Sequence, residues 1–322
     1  DSAEGKRVKK SYEALFQVSS LGEIAADRLH KRMIVNYDSF PQYDDWKKIA
    51  KAMDVDDYLT HRFIMTGGYT NLPVVSEGTA YPEATHFTDA EATVSLQKRG
   101  WIVPQITREL IINDKLGAIR RVPLELARAA KRTLYQEVFN ILRDNSTYTL
   151  DSVALFHAGT HVNTGTTPMS IAGLSAANLA MRSQTRYGST SDVLGEQNKL
   201  TTVVIPNEIE GVTARIANPS DNIITTLTAD SDTDNDPLRW KGKLQVVVVD
   251  YYTDASEHYC VADVNQQAGI GVVFLGGNQE PELFVQANEN QGEMFSMDVQ
   301  NVKIRFEFNV VILDYRPFYR QT

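Results

Sequence analysis

The chain has 322 residues, 42% of them hydrophobic and 23% charged, which is the composition of an ordinary folded soluble protein and excludes a disordered one. A net charge of −9 excludes a molecule whose whole surface grips nucleic acid. No apolar run approaches the roughly 20 residues that span a bilayer, and a lone Cys260 excludes a disulfide framework or a cysteine-based zinc site.

The amino end starts Asp1-Ser2-Ala3-Glu4-Gly5 and then carries Lys6, Arg7, Lys9 and Lys10, a solvated tail or an arm that docks on a partner. "SLGEIAADRLHKRMI" has Ile24, Ala25, Leu29 and Met33 at helical spacing, and "DDWKKIAKAMDV" is expected to be a second short helix opening at an Asp cap. "RFIM" and "ATVSLQKRGWIV" are strand-like. The Gly-, Pro- and Thr-rich stretch between them is too long for a structureless loop in a compact domain, so it reads as an extended hairpin that leaves the body.

The strongest helix signal follows. Thr107 can cap "RELIIN", and "LGAIRRVPLELARAAKRTLYQEVFNILRDN" sets Leu126, Ala130, Leu134, Val138, Ile141 and Leu142 on one face, with Arg128, Arg132 and Gln136 on another. Pro123 should kink this helix or start a new one. Beyond it, "SIAGLSAANLAMRSQ" predicts a helix capped by Ser175, and "LTTVVIPNEIEGVTARI" a strand, a Pro break and a helix. "KLQVVVVDYYTD", "EHYCVADV" and "IGVVFL" are strands, and Cys260 in the second reads as a small buried hydrophobe in a reducing compartment. "VKIRFEFNVVILDYRPFY" alternates at its start and is apolar in its middle, as a long, partly buried strand would be. Helices and strands interleave without βαβ regularity, so the class is α+β.

Motif by motif, chemistry fails to assemble. His157 and His161 in "LFHAGTHVNTGTTP" have the spacing of a zincin pair, but Ala158 stands where the general base Glu belongs, and Gly159 favours a loop. "ADSDTDNDP" alternates Asp230, Asp232, Asp234 and Asp236 like a calcium loop, yet the required Gly and closing Glu are missing in both registers. "GIGVVFLGG" places Phe274 where a dinucleotide fingerprint needs its third Gly. "SLQK", from Ser95 to Lys98, lacks the companion motifs of a Ser-Lys hydrolase. Asn145-Ser146-Thr147 is a glycosylation sequon only in a secreted chain. No catalytic residue, metal ligand or cofactor is expected.

The order of parts carries more information than any motif. "TVSLQKRGWIVPQITRELIINDKLGAI" joins a hairpin strand to a long helix, "TTVVIPNEIEGVTARI" and "LQVVVVDYYTDASEHYCVADV" form a mixed body, and "VKIRFEFNVVILDYRPFY" returns as a closing strand. In that order the chain resembles the major capsid proteins of tailed bacteriophages, and "LFHAGTHVN" is similar to an element of their Mu-like head-subunit group. The resemblance implies a capsid fold with an amino-terminal arm over 1–62, an extended β-hairpin loop over 63–103, and a discontinuous peripheral domain over 104–165 and 278–322 with a long spine helix. It gives 166–277 to an axial domain of mixed sheet and flanking helices.

The same resemblance implies hexamers and pentamers forming an icosahedral shell around double-stranded DNA, in a virion assembled in the cytoplasm of a bacterial host. With Asp1 first and no scaffold segment, the chain reads as a mature form cut by a maturation protease. Implied partners are other copies of the chain, a portal, decoration proteins and DNA held by non-specific contact, with no membrane. Contacts between subunits are then expected at Tyr69, Asn71, Glu77, Tyr81, Glu83 and His86 in the loop. In the arm they fall on Lys6, Arg7, Lys9 and Lys10, and in the spine on Arg120, Arg121, Arg128 and Arg132. Some members cross-link a loop Lys to a partner Asn; Lys98 is the only Lys in this hairpin, and no cross-link is expected. Two alternatives remain at this point: an encapsulin-like compartment shell, and a metal-dependent hydrolase using His157 and His161.

Overall fold

The structure, a computed structural model, describes residues 30–67, 72–83, 89–107, 121–189, 191–219, 239–286, 296–297 and 299–322. Its architecture is α+β. In chain order the elements are a helix over 30–38 (α1), strands β1 (Ala50–Val55), β2 (His61–Thr66), β3 (Asp89–Val94) and β4 (Lys98–Thr107), and helix α2 (Val122–Arg143). Three short strands follow, β5 (Thr147–Tyr148), β6 (Val153–Ala154) and β7 (Thr164–Gly165), then helix α3 (Ile171–Arg182), β8 (Leu200–Pro206) and helix α4 (Glu210–Ala217). The chain closes with β9 (Gln245–Val249), β10 (His258–Ala262), β11 (Ile270–Leu275), β12 (Glu282–Val285), β13 (Val299–Ile312) and β14 (Phe318–Gln321).

Two compact units divide these elements. The first draws on Asp1–Asp44, Leu96–Tyr135 and Phe274–Phe308, the second on Asp45–Ser95, Gln136–Val273 and Asn309–Thr322. In the first unit, β13 pairs antiparallel with β12 on one side and with β4 on the other, from Lys98 opposite Glu307 to Thr107 opposite Val299. Gly100 is required in that ladder, because a Cβ there would collide with the carbonyl oxygen of Ile304. Met33, Tyr37, Ala127, Leu283, Val302 and Ile304 form the unit's buried cluster.

The expected amphipathic helix is α2, whose 22 residues are about 33 Å long. Pro123 sits in its first turn, where no intrahelical N–H partner is lost, so it starts the helix and does not kink it. The apolar face contains one residue its pattern did not predict. Lys131 is 1% exposed, and its Nζ donates to Asp44 Oδ2 at 2.7 Å and to the Tyr37 carbonyl at 3.0 Å. It also lies 4.9 Å from the Tyr37 ring centroid.

The second unit is built on a five-stranded sheet in the order β7-β14-β10-β8-β9, with β8 and β9 parallel and β10 antiparallel to both β8 and β14. Leu174, Ala177 and Met181 of α3 and Ile216 of α4 pack with Leu200, Val203, Ile205, Trp240, Cys260 and Tyr319. β2 and β3 form a separate two-stranded ladder from His61 opposite Val94 to Thr66 opposite Asp89.

Three local expectations are corrected. "DDWKKIAKAMDV" is a short 3-10 turn over Asp45–Lys48 followed by β1, because Trp46 and Ile49 are buried and pairing overrides the helical propensity of Ala and Lys. "ATVSLQKRGWIV" is two strands in different sheets, β3 and β4, separated at 95–97. Ser170, not Ser175, caps α3: its Oγ accepts from Gly173 N at 3.0 Å, whereas Ser175 donates back to the Ile171 carbonyl. The expectations for "RELIIN" and for residues 1–29 lie outside the described residues.

Removing one partner of the buried Lys131 pair leaves an ammonium without its carboxylate. Because the Asp44 side chain is 35% exposed, Asp44→Ala is expected to cost about 2 kcal/mol, and Lys131→Met less. Thermal and denaturant unfolding of both variants checks this; equal or inverted losses would remove the pair from the account.

Candidate functional site

The stretch with two histidines is a braced connector directly after α2. Asn145 leaves the helix with φ 48, a left-handed conformation Asn tolerates. Its amide grips Phe156 twice, accepting from Phe156 N at 2.7 Å and donating to the Phe156 carbonyl at 3.1 Å. Asn163, 1% exposed, accepts from His157 N and donates to the Leu155 carbonyl. Gln184 donates to the carbonyl of His161.

His161 is buried and stacks on Tyr315 at 3.8 Å between centroids. Its Nε2 lies 2.7 Å from Asp151 Oδ2 and its Nδ1 3.0 Å from the Leu155 carbonyl, both acceptors. Both ring nitrogens are thus engaged within the chain itself. His157 Nδ1 accepts from Thr160 N at 2.9 Å, and the two rings stand 6.5 Å apart, edge to face. Among the described residues no three His, Cys, Asp or Glu side chains group to hold a metal ion. The hydrolase alternative therefore loses its ligand pair.

Two further buried titratable groups lie in β10. Cys260 is buried and burial pushes its thiol up to about 12, which fits the reading of a small hydrophobe. His258 in β10 is fully buried, and burial pushes its pKa down to about 4, with the Gln321 side chain acting weakly in the opposite sense.

The expected contact residues divide by location. Glu77, Tyr81 and Glu83 lie between β2 and β3 and are exposed; Tyr69, Asn71 and His86 of the same segment lie outside the described residues, as do Lys6, Arg7, Lys9, Lys10 and Arg120. Arg121, immediately before α2, and Arg132 on it are exposed. Arg128 is engaged within its own chain, 3.5 Å from Glu125 and 4.9 Å from the Phe40 ring centroid. Sequence reasoning missed the apolar neighbours: Leu72 and Val74 are 94% and 98% exposed, and Trp101 and Ile102 of β4 are also exposed. The signal was available, since "NLPVV" is an apolar run inside an otherwise polar excursion.

Apolar side chains displayed to solvent at Leu72, Val74, Trp101 and Ile102 suit a subunit that meets other chains. The sequence pattern of the phage capsid protein family matches residues 91–321, and the chain belongs to that family. It is a structural capsid protein and a virion component, not an enzyme. Among solved structures its fold is similar to a protein of Microbacterium phage Oxtober96, at 11% identity and a TM-score of 0.54 over 86% of this chain and 90% of that one. It is similar to one of Mycobacterium phage Adephagia at 12% identity and a TM-score of 0.53, over 87% and 89%. The capsid of a native GTA particle matches at 10% identity and a TM-score of 0.53, again over 87% and 89%. No curated protein matches the chain in sequence. No described helix is long and apolar enough to cross a membrane.

Two outcomes follow, one from a buried group and one from a strained backbone. His258 is neutral when folded and titrates near its ordinary value when unfolded, so the unfolded chain binds the extra proton first. Its contribution is intact above pH 6.5 and is lost as pH falls toward 4, by at most about 3 kcal/mol. His258→Leu should flatten that acid slope in thermal midpoints measured between pH 7 and 4.5; an unchanged slope rejects the assignment. Val162 is β-branched yet holds φ 51 with its side chain 62% exposed. Val162→Asn is expected to stabilise by about 1 kcal/mol in denaturant melts, and a loss of stability would show that the side chain, not the backbone, matters there.

Proposed function

We propose that this chain is the major subunit of a phage head, assembling into hexamers and pentamers of an icosahedral shell around double-stranded DNA. The observation that carries the reading is the segment between β2 and β3, where Leu72, Val74 and Tyr81 stand almost fully exposed. Apolar groups displayed this way gain only when another molecule covers them, and repeated contacts between copies generate closed shells. Family membership supplies the class of partner, a second copy of the chain.

The finer assignments are part of the same proposal. The arm over 1–62, the loop over 63–103, the peripheral domain over 104–165 and 278–322 and the axial domain over 166–277 are its working divisions. Glu77, Tyr81 and Glu83 with Tyr69, Asn71 and His86 would meet a neighbour, as would Arg121 and Arg132 with Arg120 and the arm residues Lys6, Arg7, Lys9 and Lys10. Arg128 is a weaker member of this set because its charge is already used locally. Membership of the Mu-like group, maturation by a protease, and contacts with a portal, decoration proteins and packaged DNA complete the reading, with assembly in the host cytoplasm. The acidic net charge supports a wall that does not grip DNA tightly.

Replacing Leu72, Val74 and Tyr81 together by Ser should leave the unfolding midpoint of the subunit unchanged while negative-stain microscopy shows loss of shells. Shells formed by the triple variant at the wild-type yield would remove the segment from the interface.

A further inference from the structure

An open pocket lies in the second unit, lined by residues from four separate stretches of chain: Met65 and Gly67, 186–197, Gln267, and Asp314 with Arg316. Arg316 lines it while only 7% exposed. Its Nε donates to the Thr185 carbonyl at 2.6 Å and its Nη1 to Asp314 Oδ1 at 2.9 Å, with Met65 Sδ 4.0 Å away. Its Nη2 has no hydrogen bond among the described residues.

Arg186 lines the same pocket. Its Nη2 donates to Gln197 Oε1 at 3.0 Å and its Nε lies 3.1 Å from Asp192 Oδ2, which leaves Nη1 unassigned. The Tyr187 hydroxyl is a third pocket-lining donor without a described partner, and its ring lies 5.7 Å from the Arg316 guanidinium. The backbone that carries Arg186 and Tyr187 is held as a closed turn: Arg186 N donates to the Asp192 carbonyl and Leu194 N to the Gln184 carbonyl, each at 2.9 Å.

Charge in the pocket does not favour a cation. Asp314 is 3% exposed and already accepts from Arg316 N, Arg316 Nη1 and Gln267 Nε2. What remains unmatched is N–H and O–H donors, two of them on planar guanidinium forks that suit two oxygens of one group. We propose that this pocket is an oxyanion site, taking a carboxylate or a phosphate group between Arg186, Tyr187 and Arg316. The oxyanion is either a free phosphate or an acidic side chain of a second copy, and the chemistry of recognition is the same.

The test uses the full chain with sodium phosphate against sodium chloride at equal ionic strength, and the variants Arg186→Gln and Tyr187→Phe. If the source is a free anion, phosphate at tenfold Kd raises the wild-type midpoint by about 3 °C, saturably. That rise disappears in Arg186→Gln and weakens in Tyr187→Phe. If the source is a second copy, light scattering shows phosphate dispersing wild-type assemblies, and Arg186→Gln weakens self-association about tenfold without phosphate. A phosphate response equal in all three proteins, or no response together with unaltered self-association, overturns the proposal. The free-phosphate arm is read on unassembled subunits, so it stands or fails separately from the shell reading.

Discussion

An ammonium group almost wholly out of water constrains the first unit. Lys131 lies on the apolar face of α2, and it is tolerable there only because Asp44, the Tyr37 carbonyl and the Tyr37 ring surround it. Tyr37 lies in the last turn of α1 and Asp44 follows six residues after the helix ends, so satisfying one charge fixes where that chain runs. Neighbouring contacts follow the same line: Arg128 lies over Phe40, and Tyr43 meets Tyr135 edge to face at 5.5 Å. Burial, with Asp44 next in effect, raises the Tyr37 phenol far above its usual range and keeps it neutral beside the pair. A buried pair of this kind adds little over an apolar replacement, but it discriminates strongly against any register that separates the partners.

Much of the element order was legible because period and punctuation agreed. "VVIP" followed by "NEIEGVTARI" became β8 and α4, and "VKIRFEFNVVI" became the 14-residue β13. Where reading failed, tertiary pairing outweighed local preference. "KKIAKAM" contains good helix formers, yet Ala50–Val55 enters a sheet beside β11. The "ATVSLQKRGWIV" run keeps strand character throughout, so nothing within it announces that its halves join different sheets. The cap of α3, expected at Ser175, falls on Ser170 because of the extended backbone there, which is invisible in sequence.

The site shows the same asymmetry. The missing Glu and the glycine argue against a metal at His157 and His161, and the two side chains are tied instead into hydrogen bonds of their own connector. The positive content was less legible. Periodicity marks which face of a helix is buried but not that a Lys will be accepted on it. Likewise a loop rich in Gly and Pro announces an excursion, and the polar residues in it draw attention first, while Leu72 and Val74 carry the larger uncovered apolar surface. A subunit that must remain dispersed until it meets its copies can keep such surface small and scattered, which is why no single motif identifies it.

The buried thiol of Cys260 has a practical corollary. At ordinary pH it is held as an unreactive thiol inside the β10 core, and the sequence contains no other cysteine. The native chain is therefore silent toward maleimides and iodoacetamides while folded. A cysteine placed at the exposed Glu208 would be the sole accessible nucleophile of its type, one per subunit. Dyes, spin labels or peptides could then be displayed at a known stoichiometry across a whole assembly without first engineering a cysteine-free background.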